Sequence, residues 1–136
     1  MPLTLTTTEG VLPKGSEKQA VAALTGAMLK WHGLSENQVM TPNITATVHV
    51  LPQASTFSGG EEFTGVWAEW KVPSFAFNTR EIQQGYFNEA TNIIHELSGK
   101  KQAKENIYIN VVHSVDGAWN FDGRAMSNEE IVSAIS

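Results

Sequence analysis

The chain is 136 residues long and 41% hydrophobic, enough to bury roughly two thirds of its unfolded surface around one core. Nine Lys and Arg against 14 Asp and Glu leave a net charge of −5, and no basic run exceeds Lys100-Lys101, which argues against nucleic acid or an anionic membrane as partner. No cysteine is present, so disulfides, thiolate nucleophiles and zinc-thiolate sites are excluded. With neither a leader-like start nor an apolar run of about 18 residues, a cytoplasmic protein is expected.

Residues 2–8, PLTLTTT, alternate apolar and hydroxyl side chains and predict a strand that Glu9-Gly10 ends. From Ser16 to about Gly33, Ala20, Val21, Leu24, Ala27, Met28 and Trp31 recur at steps of three and four, one face of an amphipathic helix. Ser16 with Gln19 is read as a capping box and Gly33 as the stop. A second strand follows Pro42, with Ile44, Ala46, Val48 and Val50 on one face and Thr45, Thr47, His49 and Leu51 on the other, as a period of two requires. The polar, glycine-bearing stretch Gln53 to Glu62 reads as a turn or short hairpin.

The pattern then repeats. Phe63 to Val72 is predicted as a strand, with Trp67 and Trp70 on opposite faces. A helix is expected over about Thr79 to Ser98, capped by Asn78 with Glu81. It turns Ile82, Tyr86, Phe87, Ala90, Ile93, Ile94 and Leu97 inward. Ile107 to His113 forms a further strand with Ile107, Ile109 and Val111 inward. The offset of 63 residues from Ser16 to Thr79 recurs from Ile44 to Ile107, as a duplicated β-α-β unit would produce. The tail carries Trp119 and Phe121 in a turn-rich stretch, then Ser127 with Glu130 as a third capping box before a short helix.

These elements predict an α/β fold, an α+β sandwich of one domain over 1–136: half-repeats of about 2–58 and 63–115 and a tail over 116–136. Two tandem β-α-β units form a four-stranded mixed sheet with two helices on one face, plus the short C-terminal helix. The other sheet face is expected to be apolar and covered by self-association. The same order of elements also suits a ferredoxin-like α+β barrel that binds small molecules.

Proline at position 2 draws attention to the amino terminus, because removal of Met1 would expose a secondary amine. An α-amino group titrates near 8, and burial lowers that value toward neutrality, where a general base works best. The histidines His32, His49, His95 and His113 show no ligand spacing, so no metal is assigned and no cofactor is expected. His32, ending the first helix, is placed to favour its dipole.

Pro2, the Glu9-Gly10 strand end, Lys18 on the following helix, the Gly59-Gly60-Glu61 turn, and the tail residues Ala118-Trp119-Asn120-Phe121 with Gly123-Arg124-Ala125 together resemble the tautomerase superfamily. The turn is similar to that of 4-oxalocrotonate tautomerase and the tail to the Trp-x-Phe segment of malonate semialdehyde decarboxylase. The resemblance implies a homotrimer of fused subunits in which Pro2 is the general base for keto–enol chemistry on a small oxo acid or enol, without cofactor. Trp119 and Phe121 would wall the pocket, and Lys71, Arg80 and Arg124 are the cations left to meet a carboxylate.

The sequence departs from that pattern where relatives carry arginine: Val11 follows the Glu-Gly pair and Thr45 lies in the second strand. Where decarboxylase relatives carry a water-activating aspartate, the chain has Glu36, Asn37 and Gln38, with Glu36 displaced by about two positions. Proton transfer therefore suits the chain better than decarboxylation or dehalogenation, and a catalytically inactive tautomerase-like trimer is the remaining alternative.

Overall fold

A computed structural model describes residues 1–136. Strand β1 spans Pro2–Thr8, helix α1 Glu17–Trp31, and strand β2 Thr45–Leu51. A minimal hairpin, β3 (Phe57–Ser58) and β4 (Glu61–Glu62), turns through Gly59 and Gly60, both at positive φ where glycine carries no Cβ penalty. The second unit is β5 (Val66–Pro73), α2 (Arg80–Leu97) and β6 (Ile107–Ser114). The tail is more regular than its turn-rich sequence predicts: β7 (Trp119–Phe121) and β8 (Arg124–Met126) pair as a hairpin before α3 (Asn128–Ile135).

The main sheet runs β2-β1-β5-β6, with β1 parallel to β2, β5 parallel to β6, and the central pair antiparallel. Each helix thus connects strands that are immediate neighbours. A ferredoxin-like fold instead splits its βαβ units with an intervening strand, so that alternative is corrected here by the strand order.

Leu3, Leu5, Val66, Ala68, Trp70 and Val72 of the central strands are buried beneath the helices, where they meet Leu24, Met28, Tyr86 and Ile94. Side chains of opposite parity form the other face. The expectation that this face is apolar is corrected: Pro2, Thr4, Thr6, Thr47, His49, Glu69, Lys71 and Asn110 share it with a stacked pair, Trp67 and Tyr108, at 6.2 Å between ring centroids. Threonine satisfies the β-branched preference of a strand without making the face greasy.

Two predicted caps also change. Ser16 makes no cap bond and instead donates its hydroxyl to the Pro13 carbonyl at 2.6 Å. For α2 the cap is Thr79, not Asn78: its extended backbone aims Oγ1 at the Ile82 N–H, 3.2 Å away.

Candidate functional site at the amino terminus

The starts of β1 and β2 and the ends of β5 and β6 lie together at one end of the sheet. The tail leaves β6 at that end and is tied across it. Asn37 donates from Nδ2 to the Ile135 carbonyl at 2.6 Å, and Asn128 donates from its side chain to Ser74 Oγ at 2.8 Å. Phe121, Met126 and Ile131 of the tail are buried in one continuous cluster with Met1, Met40 and Ile44. The chain start is therefore enclosed, and Met1 is only 6% exposed.

The Met1 ammonium donates to the Asn43 carbonyl at 2.6 Å. Desolvation lowers this amine from 8.0 to about 6, because burial penalises the charged form. Pro2 follows as the half-buried first residue of a central strand, a position where its missing N–H costs no ladder bond. While Met1 is attached, the Pro2 nitrogen is a tertiary amide and carries no usable lone pair.

The cations assigned from the resemblance end up in three places. The antiparallel register of β1 and β5 pairs Leu3 with Trp70, and one further step sets Lys71 opposite Pro2 on the open sheet face. Lys71 has Glu69 3.9 Å away. Arg80 lies on the helix side at the start of α2, donating to Gln83 at 3.1 Å and lining a groove of about 400 Å³ with Phe77, Asn110 and His113. Arg124 is paired with Glu130 at 2.9 Å on the surface. Of the three, Lys71 is the one whose strand register sets it opposite Pro2.

Trp119 and Phe121 share a face of β7, with Trp119 half-buried and Phe121 only 5% exposed. Phe121 is core in the single chain. Glu36 is exposed, whereas Asn37 is used structurally, its Oδ1 accepting from the Val39 and Met40 N–H groups. A concavity of about 820 Å³ lies between α1 and α2 at Trp31, Ile93 and Leu97. Its lining includes Glu89, which hydrogen bonds from Lys30 and Trp31 hold below the usual carboxylate range, making it a weaker base than a free carboxylate.

Sequence reasoning missed three features. The Asn43 carbonyl that receives the chain start has no sequence signal, because any residue supplies a carbonyl. His32, expected at the helix end to favour its dipole, instead has a half-buried ring bonded at both nitrogens and held below its ordinary proton affinity by desolvation. Ser114 buries a hydroxyl with no partner at the end of β6. No cluster of three or more His, Asp or Glu comes together.

This arrangement, two helix-linked parallel pairs joined antiparallel with the chain start buried at one end, has the fold of the tautomerase superfamily. The structure is similar to that of Pt0534 inactivated by 2-oxo-3-pentynoate, with TM-score 0.76 and 15% identity over 96% of this chain and 98% of that one. A fused 4-OT, a symmetric trimer, matches with TM-score 0.76 and 11% identity over 95% and 97%. FG41 malonate semialdehyde decarboxylase inhibited by 3-bromopropiolate matches with TM-score 0.71 and 12% identity over 100% and 98%. No protein-family model and no curated protein matches the sequence.

Proposed function

We propose that the chain is a cofactor-independent tautomerase or isomerase that moves a proton between carbon and oxygen of a small 2-oxo acid or enol, acting as a homotrimer. The observation that carries this reading is the enclosed chain start, where burial lowers an α-amino group to about 6. The same enclosure of a free Pro2 amine would favour its neutral form, the form able to take a proton. Removal of Met1 would vacate its buried place and turn Pro2 into a free secondary amine at the same end of the sheet.

The prolyl lone pair would then accept the proton from the substrate carbon while the C–H electron pair shifts to give an enolate. The resulting prolinium would return its proton to oxygen; the reverse sequence makes the keto form. Lys71, beside Pro2 on the open face, is the cation proposed to balance developing oxygen charge or a carboxylate, as a point charge rather than a bidentate fork. Small carboxylates are favoured as substrates by the compounds that inactivate or inhibit two structural neighbours, 2-oxo-3-pentynoate and 3-bromopropiolate. Trimeric assembly is supported by the fused 4-OT structures of the same fold.

The test compares the processed chain, the Met1-bearing chain and Pro2→Ala with phenylpyruvate enol as substrate, after mass spectrometry has fixed the amino terminus of each. Processed protein should turn over. The other two should be slower by roughly two orders of magnitude or more, the scale of a lost general base. Equal rates in all three would sink the proline-base reading. An inactive tautomerase-like trimer is favoured by one observation, the pairing of Arg124 with Glu130, which leaves that cation less free to meet a substrate carboxylate, and complete inactivity of the processed chain toward oxo acids would select it.

A further inference from the structure

The turn between β5 and α2, residues 74–79, is gripped by side chains from four directions. His32 at the end of α1 accepts from the Phe77 N–H at its Nε2, 3.0 Å away. His113 of β6 donates from Nε2 to the Ala76 carbonyl at 2.6 Å. Gln83 of α2 donates to the Phe77 carbonyl at 2.8 Å, and Asn128 of α3 holds Ser74.

At the centre, Phe77 is fully buried with φ at +54°. That region disfavours L side chains, and such a conformation persists only where its surroundings over-determine it. The Phe77 ring meets His32 edge-on at 4.7 Å and Tyr86 at 5.2 Å. It also walls the groove that Arg80 and His113 line.

The bonds of His32 settle its charge. Nδ1 lies 2.8 Å from the Met28 carbonyl, which only accepts, so Nδ1 carries a hydrogen. Nε2 faces an N–H, so it must be bare. Protonation would add a hydrogen at Nε2 that points at the Phe77 amide, donor against donor. His113 differs, because its Nε2 already donates and continues to do so when charged.

We propose that neutral His32 is a positioning residue that holds the strained Phe77 turn, and that protonation of His32 releases this turn and loosens the wall of the adjoining groove. The surrounding ionisable groups do not offset the new charge. Lys30 of α1 is engaged with Glu89 of α2 on the outer surface, at 2.6 Å. Arg80 is bonded to Gln83, Tyr86 has its hydroxyl between Trp70 and the Leu24 carbonyl, and His113 faces Ala76. No carboxylate bonds the His32 ring. Burial holds this imidazole below 6.5, so its grip is fully present above pH 6.5 and is lost as pH falls through the lower folded value.

The experiment is NMR of the intact chain from about pH 7.5 down to about 4.5, following the His32 ring, the Phe77 amide and its hydrogen exchange. The Phe77 amide should shift, and its exchange should rise by roughly tenfold or more beyond the intrinsic pH trend, in step with the His32 titration. His32→Gln places an oxygen acceptor near the Nε2 position at every pH, so its Phe77 amide should show no such step, whereas His113→Gln should retain it. A Phe77 amide that ignores the His32 titration in the native chain, or that steps identically in His32→Gln, overturns the proposal. If His32→Gln does not fold, the native titration alone decides.

Discussion

Trp70 is fully buried and donates from Nε1 to the Tyr86 hydroxyl at 2.8 Å, while Tyr86 donates onward to the Leu24 carbonyl at 3.1 Å. One hydroxyl thus satisfies two buried groups on separate elements, and the same burial pushes the Tyr86 phenol well above its usual range. Tyr86→Phe should cost about 1–3 kcal/mol in urea unfolding, because an indole N–H and a carbonyl lose their partner without regaining water. A midpoint unchanged from wild type would show that water replaces the phenol. The chain-start amine acts in the opposite sense. Its folded value of about 6 lies below its ordinary 8.0, so the unfolded chain binds more protons between those values. The Met1-bearing protein should therefore gain stability as pH rises from 6 to 8, by about 1 kcal/mol after solvent screening, and N-terminal acetylation should abolish that part of the slope.

Capping shows how a local signal depends on backbone conformation. Ser127 is extended, with ψ at 163°, and forms the full reciprocal capping box with Glu130. Ser16 has the same residue type before a helix, but its ψ of 2° turns the hydroxyl back onto Pro13. Ser127→Ala should destabilise the protein by about 1 kcal/mol, whereas Ser16→Ala should stay within about 0.5 kcal/mol. Equal losses in thermal unfolding would contradict the geometry. The contact of α1 with α2 makes a further demand, since a Cβ added at Gly85 would lie 2.2 Å from the Trp31 ring. Gly85→Ala should raise local helix propensity yet lower stability by about 1–3 kcal/mol through overpacking.

The open sheet face is where the proposed trimer is tested. It is threonine-rich, with Phe63, Trp67 and Tyr108 forming an aromatic row, Phe63 edge-on to Trp67 at 5.7 Å. Such a face remains soluble when free and still offers aromatic anchors when buried, since binding energy concentrates on large aromatic residues. Sedimentation equilibrium should give three times the 14.9 kDa chain mass. Trp67→Ala should shift the protein toward monomer with its helical circular dichroism intact, because Trp67 lies outside the sheet–helix core. A monomer in the native chain at micromolar concentration would refute the trimer.

Element type and inward faces were legible because both follow from short-range periodicity. Alternation in 2–8 and the three-and-four spacing in 16–33 report which side of a backbone is apolar, whatever lies opposite. The buried set Ala20, Leu24, Ala27, Met28, Tyr86, Ala90 and Ile94 matches that reading. Pro2 was likewise visible, since its chemistry depends on being near the chain start. Neighbour relations had no such signal. The juxtaposition of Pro2 with Lys71 and the bonds from Met1 to Asn43 and from Phe77 to His32 join residues more than 40 positions apart. They exist only because the sheet orders its strands β2-β1-β5-β6. Periodicity records the burial of a face but not the identity of its partner, and the polarity of the open sheet face was misjudged because threonine meets a strand's steric preference while remaining compatible with water.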